Sequence, residues 1–377
     1  MKRMAKYLEI LTPLQEADYP MNELQRLDWV DYSKGLGIFL IVATHVLGGL
    51  HERAITDLYM YQFIETSVSI FHVPLFFFLS GLFIRRSARR SVTDFVVDKT
   101  AVVLYPYFVW SISQGLLQIA LSQYANRPVS AVDLLKIAYV PIGQFYFLYT
   151  LFVIMMIYRL FYRRSGSDIV FVSVTIVCFI IERSGFNLIQ WNVAHDVAYF
   201  LIYFGFGVAA AQTSILARAP EWRSVWLLAI LIGGYGAIVI GVTAHWEQEP
   251  IVTPMLVMSG IAATVALAIL IGRSSTLPFV KLWGTRSLEI YVAHVIAAAA
   301  MRIALQRILG FNLPVAQIVL CIAVGIYGPI LLAYLSQQLI GPYAFTLSQT
   351  RVQPRLRNPW AKGWGVSHST PRQQAKT

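Results

Sequence analysis

Three histidines fall in stretches that otherwise read as membrane spans: His45 in DYSKGLGIFLIVATH, His72 in SIFHVPLFFFLSGLFI and His294 in GTRSLEIYVAHVI. Lys34 precedes His45 by eleven residues, and Asp31 precedes Lys34 by three. On an α-helix eleven residues make three turns plus roughly 20°, so Lys34 and His45 project from one face, about 16 Å apart. Asp31 is within i,i+3 reach of Lys34. One helical stripe therefore runs from a charged pair at the helix mouth to an imidazole near mid-span. Counted from the span edges, all three histidines fall within about 6–9 Å in depth.

Ionisable groups inside a membrane face a bundle interior or a cavity and mark function by default. A neutral imidazole can take the proton of a hydroxyl while that oxygen attacks an activated acyl group. Such a donor brings its own leaving group. A coenzyme A thioester would also bring phosphates, for which RRSARR (Arg85, Arg86, Arg89 and Arg90), Lys34 and Lys99 are candidate partners. Blander readings stand beside these. A histidine can hydrogen-bond a neighbouring helix as glue, and RRSARR can be a topology signal. Three imidazoles at one depth suit a metal, but no H-x-x-x-H or H-x-x-E pattern occurs and no metal is expected.

The elements that carry these residues are apolar helices. Of 377 residues, 57% are hydrophobic and only 13% charged, against about a quarter charged in soluble domains; mean hydropathy is +0.61. Nearly charge-free blocks occur at 35–50, 66–84, 101–121, 137–158, 168–184, 197–217, 224–244, 251–272, 286–303 and 313–340. A span needs about 20 apolar residues, and continuous rather than alternating blocks exclude a barrel. The expected fold is an all-α polytopic bundle of about ten transmembrane helices with both termini cytoplasmic. With the N-terminus inside, 24 of the 30 Lys and Arg residues lie in cytoplasmic segments, which is the positive-inside pattern of a cell (inner) membrane protein. The same distribution explains the net charge of +11 without nucleic acid. The expected division is a cytoplasmic segment 1–34, a membrane domain 35–340 and a basic, mostly disordered cytoplasmic tail 341–377 that touches anionic lipid. Two cysteines give no disulfide framework, and the basic N-terminus lacks the apolar run of a signal peptide. A transporter or flippase would also suit many spans with interior histidines, but it predicts internal symmetry, which the sequence does not show.

The motifs resemble the integral-membrane acyltransferase 3 family, and within it the sugar O-acetylase branch that includes fucose 4-O-acetylase-like proteins. RLDWVDYSKGLGIFLIVATH matches the family's basic residue, ten residues, then histidine, with Lys34 where arginine is commoner. FHVPLFFFLSGLFI resembles its His-x-Pro-Phe-Phe-Ser-Gly signature, LYPYFVW its proline-centred third span, GQFYFLYTLFV its Trp-Phe-Leu box with Tyr146 for tryptophan, and WGTRSLEIYVAH its Gly-x-x-Ser-Leu-x-Ile-Tyr-x-x-His box. The resemblance covers about residues 26–340. It implies acyl transfer, usually acetyl, from acetyl-CoA or another acyl-CoA to a glycan or glycolipid hydroxyl. His45 would then be catalytic, with Lys34 and Asp31 assisting. His72, Gln144, Tyr146, Glu289 and His294 would face the acceptor. Arg85, Arg86, Arg89 and Lys99 would hold the donor. The chain departs from the family in having VDKTAVVLYP, with Lys99 alone, where many members carry an Arg-x-x-Arg pair.

Several of these residues also have structural readings. Glu289 can pair with Arg286 at i,i+3 or face the cavity. Tyr146 can pack as a core aromatic. Tyr105 and Pro106 suit a kink, and Ser80-Gly81 suits close helix packing. No Gly-x-Ser-x-Gly nucleophile elbow is present.

Overall fold

The computed structural model describes residues 28–52, 58–124, 129–165, 168–185, 191–213, 215–311 and 313–347. Among the described residues there are helices and turns but no strand. Ten helices organise the chain: α1 Asp28–His51, α2 Leu58–Ala88, α3 Val92–Ala120, α4 Tyr146–Ser165, α5 Asp168–Arg183, α6 Asn192–Ala210, α7 Ser224–Thr243, α8 Val252–Ser274, α9 Ser287–Ile303 and α10 Pro314–Leu339. Each coincides with one of the expected spans. A short helix, Pro278–Thr285, joins α8 to α9.

Among the described residues, nine helices are long and apolar enough to cross a membrane. The remaining one, α5, has 16 residues and a length of about 24 Å. Its ends nonetheless reach the same two faces as α6. At its start Asp168 accepts hydrogen bonds from Tyr158 (2.8 Å) and Gln212 (2.7 Å) and pairs with Arg85 at 3.4 Å. At its end Glu182 bonds His195 at 2.9 Å, and Arg183 donates to the Gln248 carbonyl at 3.2 Å. His195 opens α6 and Gln212 follows its end, so α5 and α6 cross one thickness.

The helix α1 sits at the centre and packs on α2, α8, α9, α10 and the short helix. Its described part begins at Asp28, which places Asp31 and Lys34 on the helix rather than in a preceding segment. The short helix meets α1 backbone to backbone. A Cβ at Gly35 would collide with the Val280 carbonyl, and one at Gly284 with the Asp31 carbonyl. Lys281 then reaches Asp28 at 2.6 Å. The α2–α6 pair repeats the device: a Cβ at Gly81 would strike the Phe204 carbonyl, and one at Gly207 the Phe78 carbonyl. With lipid as apolar as leucine, close backbone approach supplies the packing that burial cannot.

Helix α3 changes pitch just before its proline. Thr100–Leu104 form a π turn ahead of Pro106, whose ring cannot donate to a carbonyl one turn back. Pro74 lies inside the continuous α2, two residues after His72. Residues 341–347, assigned to the tail from sequence, pack on α3: Tyr105 and Trp110 donate to the carbonyls of Tyr343 (2.6 Å) and Ala344 (2.9 Å), and Phe345 is buried. The rest of the expected disordered tail, 348–377, and residues 1–27 lie outside the described residues. The exposed apolar side chains of α7, among them Trp226, Ile232 and Ile240, face outward, as lipid contact requires.

Valine at Gly81 or Gly207 is expected to destabilise the α2–α6 contact by about 1–3 kcal/mol or more, because the obstacle is backbone. Either variant should lower the monodisperse fraction after detergent extraction, while Gly236→Val, where nothing lies within 4 Å of an added Cβ, should not.

Candidate active site

The unbroken α1 keeps Lys34 and His45 on the stripe expected from their spacing. His45 is exposed although it lies inside its helix, six residues before the end at His51, with Thr44 and Val46 beside it buried. Its ring centroid lies 5.1 Å from that of His294, which is fully buried on α9. His72, buried on α2, interacts electrostatically with His45, as does His294. Three helices remote in sequence thus bring their histidines together.

The buried imidazoles are oriented by their own helices. His72 Nδ1 lies 2.8 Å from the Val68 carbonyl, and His294 Nδ1 lies 2.7 Å from the Tyr291 carbonyl. A carbonyl only accepts, so Nδ1 carries the proton in each and Nε2 keeps its lone pair. His294 Nε2 is buried with no hydrogen-bond partner among the described residues. The described residues hold no group of three His, Cys, Asp or Glu side chains suited to a metal ion.

A second layer fixes α9. The Tyr291 hydroxyl donates to the Gln144 carbonyl, and the Tyr291 ring packs edge-on against Phe147 at 5.2 Å. Gln144 follows Gly143, whose φ of 50° lies in the left-handed region that glycine takes without strain. The Gln144 side chain exchanges hydrogen bonds with Gln114 of α3, at 2.8 and 3.3 Å, and both are buried.

The model of the acyltransferase domain family matches residues 27–334. The chain belongs to the acyltransferase 3 family. No curated protein and no solved structure matches it. The match spans α1 to most of α10, so the histidine cluster and its supports all lie inside the family domain. The protein is a multi-pass membrane acyltransferase.

The other expected site residues are distributed as follows. Asp31 is half-buried and interacts electrostatically with Lys34 and Lys281. Glu289 takes its structural option and pairs with Arg286 at 3.2 Å. Gln144, expected to bond the acceptor, already has its amide engaged by Gln114. Tyr146 is half-buried at the start of α4 and packs toward Phe200 with ring centroids 6.2 Å apart. Arg85 lies about 20 Å along α2 from His72 and is bound to Gln212 at 2.5 Å and to Asp168. Lys99 pairs with Asp98 at 2.8 Å and lies 5.6 Å over the Phe95 ring. Arg86 and Arg89 are exposed. Tyr291 and Gln114 were not singled out from sequence. Tyr291 had a signal, one turn before His294; Gln114 had none, because its partner is 30 residues away.

Gln114→Leu should strand the buried Gln144 amide and cost about 1–3 kcal/mol, lowering the thermal midpoint of the detergent-solubilised enzyme. Gln114→Leu with Gln144→Leu should recover part of that loss, since removing both partners leaves nothing unsatisfied.

Proposed function

We propose that this acyltransferase moves an acetyl group from acetyl-CoA to a hydroxyl of a cell-surface or exported glycan, with His45 as general base. The observation that carries the reading is the exposed His45 ring against the fully buried His294, whose Nε2 has no partner among the described residues. A reactive imidazole here is both reachable and held in place. The resemblance of the motifs to sugar O-acetylases supports the acetyl group and the sugar acceptor.

In the proposed reaction His45 removes the proton of the acceptor hydroxyl as its oxygen forms a bond to the thioester carbonyl carbon. The C–S bond then breaks, coenzyme A leaves as thiolate, and the proton held on His45 is available to the departing sulfur. His294 and His72 shape the acceptor side of this space. Lys34, half-buried on the same stripe with Asp31 beside it, stabilises negative charge on the donor. Arg85, Arg86, Arg89 and Lys99 are assigned to the donor phosphates; Arg85 and Lys99 also pair with Asp168 and Asp98.

The proposal puts the basic end of α2 and both chain termini in the cytoplasm of a cell (inner) membrane, a reading that the 24-to-6 distribution of Lys and Arg supports. The donor then arrives from the cytoplasm and the acceptor from the opposite face, and they meet at the depth of His45.

Membranes carrying the enzyme, incubated with radiolabelled acetyl-CoA and the host's extracted glycans, should label a glycan fraction. His45→Ala at equal membrane abundance should reduce labelling by about 10²–10⁴-fold; undiminished labelling would remove His45 from the mechanism. Lys34→Met should lower labelling, and Lys34→Arg should retain most of it, since charge rather than shape is the requirement.

A further inference from the structure

A cavity of about 690 Å³ opens on the face opposite the Arg85–Asp168 cluster, where the residue 139–141 segment meets the start of α6. Tyr139, Tyr146, Trp191, Asn192, His195 and Asp196 line it. The volume is that of a small-molecule site, and the chemistry of the walls is mixed. Two exposed aromatic rings stand at the rim, Tyr139 at 51% and Trp191 at 36% exposure. The indole is not loose: Trp191 Nε1 donates to the Tyr139 carbonyl at 2.6 Å, which orients the ring and ties the two rim segments together.

The polar groups inside are unequal. His195 is engaged with Glu182 at 2.9 Å. The half-buried Asp196 interacts electrostatically with both, but its carboxylate is not taken up by any hydrogen bond or ion pair among the described residues. A partly buried carboxylate without a donor is costly, and a ligand's hydroxyls would satisfy it. An apolar surface patch or a lipid-facing aromatic belt gives no reason for that carboxylate.

Tyr146 on the cavity wall interacts electrostatically with Asp196 and with Tyr291. The Tyr291 ring lies 6.1 Å from that of His294, and the His294 ring 5.1 Å from that of His45. The link between the cavity wall and the histidine pair is the electrostatic proximity of Tyr146 to Tyr291.

We propose that this cavity is the docking site for a pyranose ring of the acceptor glycan. The C–H face of the sugar stacks on Trp191, and its hydroxyls bond Asp196 and Asn192. Sugar rings present an apolar face and a hydroxyl edge; the fixed indole matches the first and the carboxylate with the amide matches the second. The cavity holds one residue of the acceptor, and the residue that reacts at His45 lies further along the glycan. This assignment rests on the proposed glycan acceptor, and it is testable without turnover.

The full-length protein in nanodiscs would be titrated with the methyl pyranosides of glucose, galactose, mannose and fucose, and with oligosaccharides released from host surface glycan by mild acid. Saturation-transfer NMR reads binding. Saturable binding to the wild type is expected for at least one probe. It should weaken about tenfold or more in Trp191→Ala and in the isosteric Asp196→Asn, with partial rescue in Trp191→Tyr. No saturable binding of any probe to the wild type, or equal binding in Trp191→Ala and Asp196→Asn, would overturn the assignment. Persistent acetyl transfer by His45→Ala would instead overturn the proposed base and leave the binding result standing.

Discussion

The contact of one backbone with another at α1 is the constraint on which the site depends. The short helix Pro278–Thr285 touches α1 where Gly35 and Gly284 leave room for the carbonyls of Val280 and Asp31. No flexible side chain lies at these contacts to absorb error. That docking fixes the start of α9, separated from the short helix by Arg286 alone, and α9 carries His294 to the ring of His45. The glycines of α2 and α6 do the same on the other flank, where α2 carries His72. In a membrane, where apolar burial hardly distinguishes lipid from protein, such close approach is what makes one arrangement of helices preferred.

The buried histidines solve a second problem inside that frame. An imidazole in an apolar region needs partners for two nitrogens. His72 and His294 each commit Nδ1 to a carbonyl of the preceding turn. The remaining nitrogen therefore points away from its own helix with its lone pair. Each helix thus sets the tautomer of its own histidine without help from a carboxylate, and acidic residues are scarce in these spans.

The helices and the stripe of α1 were legible because they depend on local pattern: apolar runs of span length, and eleven residues between Lys34 and His45. Convergence of His45 and His294 was legible only as a similarity of depth. The fate of individual charges was not. Whether Arg85 serves a ligand or the scaffold depends on Asp168 and Gln212, which lie 83 and 127 residues further along, and no spacing rule reaches that far. The engaged amide of Gln144 and the folded segment 341–347 were hidden for the same reason, since their partners are in α3. The family match covers residues 27–334, so the motifs that carried the resemblance lie within one domain.

The length of α5 has a consequence for the surrounding bilayer. At about 24 Å it is shorter than a hydrocarbon core of about 30 Å, yet its two ends are pinned by Asp168 and Glu182 to the same faces as α6. Lipid must adapt to the protein along this flank, by thinning locally or by drawing head groups inward. The water boundaries along this flank then lie closer together than in a bilayer of about 30 Å. A hydrophilic chain approaching on this flank has less hydrocarbon to cross before it meets protein.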